Sequence, residues 1–256
     1  MKTKIFLIII LAIISFNVNS QNASEIAKKS SDIVEIGNME MLSTINIRDG
    51  KGNTRVRQIM NASKKFGNVN KMIMRFTAPA DVKGTAFLVY DHDTESDNMW
   101  IYMPALRKVR RVVSTEKGKN FMGSEFTNAD MSKPNFDDFE YKLLGTEKYN
   151  GADCYKIEAS CKTKDISSEN GYSRRVSYID KSTYLCYKVE FYGTDNKLQR
   201  IQTISDYKKQ SNGKYFAFRM NMENVRNGRS SDITIDKFQA GSQLPESAFA
   251  PSALEK

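Results

Sequence analysis

The chain has 256 residues, with 39 lysines and arginines against 30 aspartates and glutamates, which gives a formal net charge of +9. This length allows one large domain or two small ones, and either can bury a sizeable core. A basic balance often indicates a nucleic-acid partner. An export signal at the N-terminus argues against that partner, so anionic membrane surfaces or acidic partners fit the charge better.

The first twenty residues have the layout of a secretory signal peptide. Two lysines precede an apolar run over residues 5–16, and Val18 and Ser20 stand at positions −3 and −1 of a cleavage site before Gln21. The run is too short to span a bilayer, and no cysteine near the cut would carry a lipid anchor. We therefore predict that residues 1–20 are removed from an exported chain. The alternative is an N-terminal membrane anchor.

Helical and strand periods follow each other along the rest of the chain. Apolar residues at helical spacing predict an amphipathic helix over residues 23–36 that stops at Gly37. From residue 39 the apolar period changes to two, which predicts strands joined by tight turns. Residues 118–140 break this period and contain Pro134, so they predict a loop with one or two short helices.

Strand patterns resume after this loop and continue almost to the C-terminus. The segments are separated by turns such as NG, SENG, GTDN and RNG, and LPESAFAPSALEK predicts a short final helix. About ten to twelve strands connected in sequence predict one large antiparallel sheet with helices packed on one side. The fold class is therefore α+β, mainly β, and residues 21–256 form a single domain.

Two predicted strands, AFLVY and MWIYM, are apolar on both faces, and two others carry methionines on one face. Methionine is flexible, so it fills irregular core gaps or lines adaptable binding surfaces. Both interpretations remain open: a methionine-rich core, or a sheet curled around a cavity for acyl chains. The residues that would line such a cavity are Met72, Met74, Phe76, Leu88, Met99, Ile101, Met103, Met220 and Met222.

Signals of catalysis or metal binding are weak. His92 is the only histidine and lies at a predicted hairpin tip, whereas a catalytic triad needs a buried, oriented base. The acidic residues around it lack the glycine and the final glutamate of a calcium-binding EF-hand loop, which predicts a solvated tip. There is no HExxH, CxxC, phosphate-binding loop or nucleophile elbow. We expect no enzyme, no cofactor and no metal site.

Three cysteines, Cys154, Cys161 and Cys186, cannot all pair within one chain. Cys154 and Cys161 are seven residues apart, so they would point to opposite faces if one strand held both. We predict that all three are free and packed as small apolar groups.

A cluster of cations, Arg107, Lys108, Arg110 and Arg111, follows the doubly apolar MWIYM strand. Charged residues on an exposed strand often protect the edge of a sheet from further pairing. A second interpretation is a cationic rim that meets lipid phosphates or an acidic partner. The sequence favours neither.

Three segments, NMWIYMPALRKVRRV, FMGSEFTNADM and LPESAFAPSALE, resemble the outer-membrane lipoprotein-sorting proteins, the LolA/LolB-like periplasmic carriers. Glu125 stands where aspartate would be more usual. The resemblance implies a half-open antiparallel β-barrel whose concave side is capped by helices, with acyl chains in the apolar space between them. The motif residues are Trp100, Tyr102, Pro104, Arg110, Arg111, Phe121, Gly123, Ser124 and Phe126.

This resemblance implies a periplasmic carrier that binds lipoprotein acyl chains or other lipids and moves them towards the outer membrane. We expect a monomer. The alternative function is a non-catalytic periplasmic accessory to an inner-membrane lipid exporter or transporter. A third interpretation, a hydrolase without recognisable motifs, would show turnover of lipid esters. No nucleic-acid partner is expected in any of the three.

Overall fold

Thirteen strands form a single antiparallel sheet in the computed structural model, which describes residues 22–93 and 95–255. The predicted signal peptide lies outside the described residues. The strands are β1 Asn38–Arg48, β2 Thr54–Phe66, β3 Val69–Ala78, β4 Ala86–His92, β5 Asn98–Met103, β6 Lys108–Arg111, β7 Phe139–Tyr149, β8 Ala152–Cys161, β9 Arg174–Asp180, β10 Cys186–Tyr192, β11 Leu198–Lys209, β12 Tyr215–Asn224 and β13 Arg229–Ala240. The predicted count of ten to twelve was too low, because every alternating segment pairs, including the short basic β6.

The strand order is β6-β5-β4-β3-β2-β1-β13-β12-β11-β10-β9-β8-β7. Strands β1 and β13 therefore pair in the middle of a curved, unclosed sheet, and β6 and β7 form its two edges. The chain must pass from one edge to the other between Arg111 and Phe139. This passage, residues 112–138, is called the crossing segment below.

Three helices accompany the sheet in the described part of the chain: α1 over residues 22–32, α2 Ser114–Lys117 and α3 Lys164–Asn170. Helix α1 ends four residues before the predicted limit, because Lys214 Nζ and the Tyr215 amide donate hydrogen bonds to the carbonyls of Asp32 and Ile33. No helix in these ranges has the length and apolar character that a bilayer crossing requires.

Helix α3 was not predicted, although its end signals are present. Thr163 caps its first turn by accepting a hydrogen bond from the Ile166 amide, and Gly171 closes it in the left-handed conformation. The predicted C-terminal helix is instead two 3-10 turns, Glu246–Phe249 and Pro251–Glu255. Pro251 separates them, because proline cannot donate the hydrogen bond that would continue the first turn.

The inner face of the sheet is the face covered by α1 and the crossing segment. Phe121 packs edge-on against Phe87 at 5.2 Å between ring centroids and lies 6.0 Å from Phe76. Phe126 joins a second cluster in the other half of the sheet, with Ile157 and Phe191. The crossing segment thus contributes one phenylalanine to each half of the inner core.

The outer face carries the C-terminal segment, residues 241–255. Phe249 and Leu254 are both 0% exposed and pack with Leu88 over β2–β5. Full burial of such side chains stabilises by about 1.5–3 kcal/mol each. Polar side chains of β2–β4 bind the carbonyls and one carboxylate of this segment. They are Lys64, Lys71, Arg75 and Tyr90.

These two covers explain why MWIYM is apolar on both faces. Met99 and Ile101 face the inner core, whereas Trp100 and Tyr102 lie beneath the C-terminal segment. Trp100 also packs edge-on against Tyr90, with ring centroids 4.8 Å apart. A strand buried on both sides gains nothing from polar alternation.

Candidate functional site

Three arginines from distant strands hold the FMGSEF part of the crossing segment against the inner face. Arg57 donates to the Met122 carbonyl, Arg200 to the Glu125 carbonyl at 3.0 Å and Arg229 to the Gly123 carbonyl at 3.2 Å. Bound in this way, the carbonyls of a loop that lies inside the fold keep hydrogen-bond partners. We call Arg57, Arg200 and Arg229 the arginine clamp.

Acidic side chains of the crossing segment balance the clamp. The Glu125 carboxylate, 2% exposed, lies 2.7 Å from Arg229 Nε and accepts a hydrogen bond from Asn224 at 3.0 Å. Asp130 pairs with Arg200 at 3.0 Å. Gly123 takes a φ of +77°, which disfavours a side chain there. The motif residues between Phe121 and Phe126 therefore make the contacts that hold the crossing segment against the inner face.

A cavity of about 280 Å³ lies between α1 and the inner face of β7–β11. We call it the inner cavity. Its walls are mostly apolar, and Ile157, Ile179 and Val189 are among its most buried members. The lining includes Ala27 and Ser30 of α1, and Tyr141, Ile157, Arg175, Ser177, Ile179, Val189 and Gln202 of the sheet.

A larger groove of about 720 Å³ lies on the outer face, between the C-terminal segment and the strands β1, β2, β3 and β13. We call it the outer groove. Leu42, Ile73, Leu244 and Ala248 contribute to its walls. Met60, also in its wall, is 59% exposed, so this groove leaves apolar surface in contact with water.

The structure divides the nine cavity candidates among three places. Leu88 lies on the outer face beneath the C-terminal segment. Met220 and Met222 belong to the inner core of the half that contains the inner cavity. The other six pack in the opposite half, several of them around Phe121 of the crossing segment. They are Met72, Met74, Phe76, Met99, Ile101 and Met103.

Sequence reasoning missed the residues that line the inner cavity. They come from CYKIEAS, RRVSYID and YLCYKVEF, where alternate residues such as Ile157, Arg175 and Val189 share one face. The alternation was visible in the sequence, but choosing the face needs the strand register.

The acidic hairpin tip was predicted to be solvated, and this is wrong for Asp91. Its side chain is buried and accepts a long hydrogen bond from the Lys133 amide at 3.4 Å. Burial and the neighbouring Asp97 raise the pKa of Asp91 to about 7. Burial also raises the pKa of Asp97. Among the described residues no group of three acidic, histidine or cysteine side chains is arranged to hold a metal ion.

All three cysteines are free, as predicted. Strand β8 holds both Cys154 and Cys161, and they pack in clusters on its opposite faces. Cys186 lines the inner cavity. Burial raises the pKa of the Cys161 and Cys186 thiols to about 11, so neither is a reactive thiolate near neutral pH.

Comparison with known proteins places most of the chain beside one group. A family model described as an uncharacterized protein family matches residues 68–256. A domain assigned to the outer membrane lipoprotein-sorting proteins, from Vibrio parahaemolyticus, is 30% identical with a TM-score of 0.86, over 93% of this chain and 100% of that chain. No curated protein matches the chain.

Two further solved structures share this fold. A DUF1329 family protein from Desulfovibrio piger is 28% identical with a TM-score of 0.85, over 92% of this chain and 99% of that one. A LolA superfamily protein from Nitrosomonas europaea is 21% identical with a TM-score of 0.71, over 89% of this chain and 97% of that one, and this likeness concerns the fold alone.

Proposed function

Because the chain belongs to the outer-membrane lipoprotein-sorting protein family, we propose that it is a periplasmic carrier without catalytic activity. It binds lipoprotein acyl chains or other lipids in an apolar cavity and moves them towards the outer membrane. The inner cavity carries this proposal, since it is an apolar space between a helix and the inner face of the sheet. In this proposal α1 and the crossing segment cap the concave side of a half-open barrel.

The inner cavity is preferred to the outer groove because its walls are better shielded from water. Ile157 is 1% exposed, whereas Met60 in the outer groove is 59% exposed. Transfer of an acyl chain from water gains about 0.8 kcal/mol per buried methylene, and only if the chain leaves water. Enclosure therefore matters more than volume for this ligand.

The inner cavity, at about 280 Å³, is smaller than the roughly 300–1,000 Å³ that small-molecule pockets usually enclose. A long acyl chain therefore needs the cavity to expand. We propose that α1 swings outward to admit the chain and pivots about its C-terminal end, where polar contacts hold it. Lys133 pairs with Glu35 at 2.9 Å just beyond the helix, and Lys214 donates to the Asp32 carbonyl. Methionines on the neighbouring strands, Met220 and Met222 first, repack readily around an expanded cavity. The six candidates in the opposite half of the inner core are proposed as the wall that adapts next, whereas Leu88, on the outer face, is not part of it.

A pair of alanine substitutions tests which cavity binds lipid. Ala27→Trp fills the inner cavity, and Ala248→Trp fills the outer groove from a half-buried position of the same kind. We expect Ala27→Trp to abolish uptake of a fluorescent fatty acid and Ala248→Trp to preserve it, at equal melting temperatures. The opposite pattern moves the site to the outer groove. Absence of lipid uptake and of co-purified lipid in the wild type refutes the carrier function.

The outer groove favours the second candidate function, an accessory to an inner-membrane lipid exporter. Its exposed Met60 is the kind of adaptable apolar surface that a protein partner covers. A carrier should co-purify with lipid, whereas an accessory should bind its transporter without lipid.

The proposed location requires cleavage of the signal peptide, so mass spectrometry of the exported chain should find an unmodified N-terminus at or near Gln21. We propose a monomer, and we propose an anionic membrane surface as an additional partner of the cations in residues 107–111.

A further inference from the structure

Two polar atoms inside the inner cavity lack hydrogen-bond partners among the described residues. They are Arg175 Nε and Tyr141 Oη, and both are shielded from water. Arg175 lies on β9 between Phe191 of β10 and Ala159 of β8, with its side chain on the inner face. Its guanidinium also lies 5.3 Å from the centre of the Phe139 ring. The polar end of this arginine therefore faces an apolar enclosure.

An arginine in this position is costly to the folded protein. The guanidinium cannot lose its proton, so the partial burial of Arg175 leaves its Nε donor without water and without a hydrogen-bond partner. The neighbouring arginines are compensated: Arg174 pairs with Glu158 at 3.1 Å and Arg200 with Asp130 at 3.0 Å. None of the ion pairs found in the described ranges includes Arg175.

Nearby acids do not supply the missing partner. Asp130 exerts a favourable charge interaction on Arg175, but its carboxylate is already bound to Arg200. Tyr141 cannot supply a negative charge near neutral pH, because burial raises the pKa of its phenol. The phenol therefore keeps its proton and is available as a hydrogen-bond donor beside the guanidinium. Both groups offer donors, and their natural complement is an anion with acceptor oxygens.

We propose that Arg175 and Tyr141 bind the carboxylate of a long-chain fatty acid inside the inner cavity. This inference rests on the proposed function and narrows its cargo. An acyl chain held in an ester or an amide has no carboxylate to offer, so a free acid is preferred to an acylated protein. The carboxylate enters first and pairs with Arg175, while the chain extends along Ile157, Ile179 and Val189 towards α1.

The cavity also provides polar groups for the second carboxylate oxygen. Ser177 on β9 and Gln202 on β11 line the same space as Arg175, and Ser30 approaches it from α1. A guanidinium can hold a carboxylate through two parallel hydrogen bonds. Hydrogen bonds to charged groups contribute about 1.5–3 kcal/mol each, which corresponds to about ten- to a hundredfold in affinity.

The test compares palmitic acid with palmitic acid methyl ester as competitors of a fluorescent fatty-acid analogue, on the mature chain. Wild type should bind the acid at least about tenfold more tightly than the ester. Arg175→Met should bind both at the level of the ester, and Tyr141→Phe should lose part of the preference. Lys142→Met is the matched control, because it removes one exposed cation from the residue next to Tyr141.

Melting temperatures separate a binding role from a structural one. Arg175→Met should keep or raise the melting temperature, because an apolar residue of similar length removes a partly buried charge that has no counter-ion. A structural arginine would lower it. If Arg175→Met does not fold, the carboxylate assignment is decided by the affinity for the acid relative to the ester, compared between the wild type and Tyr141→Phe.

Equal binding of acid and ester by the wild type overturns the carboxylate assignment and leaves the carrier function standing. An acid preference that Arg175→Met retains also overturns it. Failure of the wild type to bind either competitor refutes the carrier function, and the assignment falls with it.

Discussion

The Glu125 carboxylate is the charged group whose loss should disturb the fold most sharply. It is 2% exposed, and Arg229 Nε lies 2.7 Å away from it. Glu125→Gln keeps the shape and the acceptor for Asn224 but removes the charge. The Arg229 guanidinium then remains beside the crossing segment without its counter-ion.

Removing one partner of a buried ion pair typically costs about 3–5 kcal/mol. The Arg229 side chain is 36% exposed and keeps part of its water, so we expect the lower end, about 3 kcal/mol. For a domain of this size that free energy lowers the melting temperature by about 6–12 °C. Thermal unfolding followed by circular dichroism measures the change.

Glu116→Gln is the control, since its carboxylate forms a surface pair with Arg110 at 2.6 Å. Exposed pairs contribute about 1 kcal/mol or less. The double variant Glu125→Gln with Arg229→Gln should recover part of the loss, because no uncompensated charge remains. Equal melting temperatures for Glu125→Gln and Glu116→Gln would refute the structural role of the pair.

Three further predictions concern stability and the accessibility of the thiols. Folding raises the pKa of Asp91 from 3.8 to about 7, so the folded chain holds a proton that the unfolded chain has released, and stability falls as pH rises from about 4 to 7. Asp91→Asn should remove much of that fall in urea titrations at pH 5 and pH 8, and an unchanged pH dependence would contradict the assignment. Phe249→Ala should cost about 3–5 kcal/mol in the same assay, against about 0.5 kcal/mol or less for the exposed Val225→Ala. Iodoacetamide should label three thiols in the unfolded, unreduced chain and react slowly with the native one; finding one thiol would reveal a disulfide.

The strands could be predicted from the sequence because alternation is a local property. Every alternating segment became a strand. The register could not be predicted in the same way, because β1 pairs with the distant β13 and bulges interrupt pairs such as β2 with β3 and β7 with β8. Strand β6, only four residues long, shows how little sequence a paired edge strand needs. Helix α3 was missed because its capping residues, Thr163 and Gly171, enclose only seven residues with little apolar periodicity.

The position of the crossing segment could not be predicted, because its contacts are distant in sequence. Arg200 binds the Glu125 carbonyl across 75 residues, and Arg229 binds the Gly123 carbonyl across 106. A local pattern contains no information on which strand supplies such a partner. For the same reason the sequence RRVSYID predicted an ordinary strand with one exposed face, although its register turns Arg175 towards the inner cavity.

The cations that follow MWIYM divide into two pairs with different surroundings. Arg110 and Arg111 lie on β6, the last strand at one edge of the sheet, and bind Glu116 and Asn98. Charges on an edge strand discourage further strand pairing. Arg110→Val with Arg111→Val should therefore promote self-association, seen as larger species in light scattering.

Arg107, in the turn before β6, and Lys108, its first residue, are both exposed and lie next to Leu106, which is 63% exposed. An apolar side chain flanked by cations suits the surface of an anionic membrane, where each cation contributes about 1 kcal/mol. Arg107→Gln with Lys108→Gln should weaken co-sedimentation with phosphatidylserine vesicles by about tenfold or more without changing the size of the protein in light scattering. Because the two double variants remove equal charge, equal loss of vesicle binding in both would show that only net charge matters, and Arg107 and Lys108 would have no distinct role.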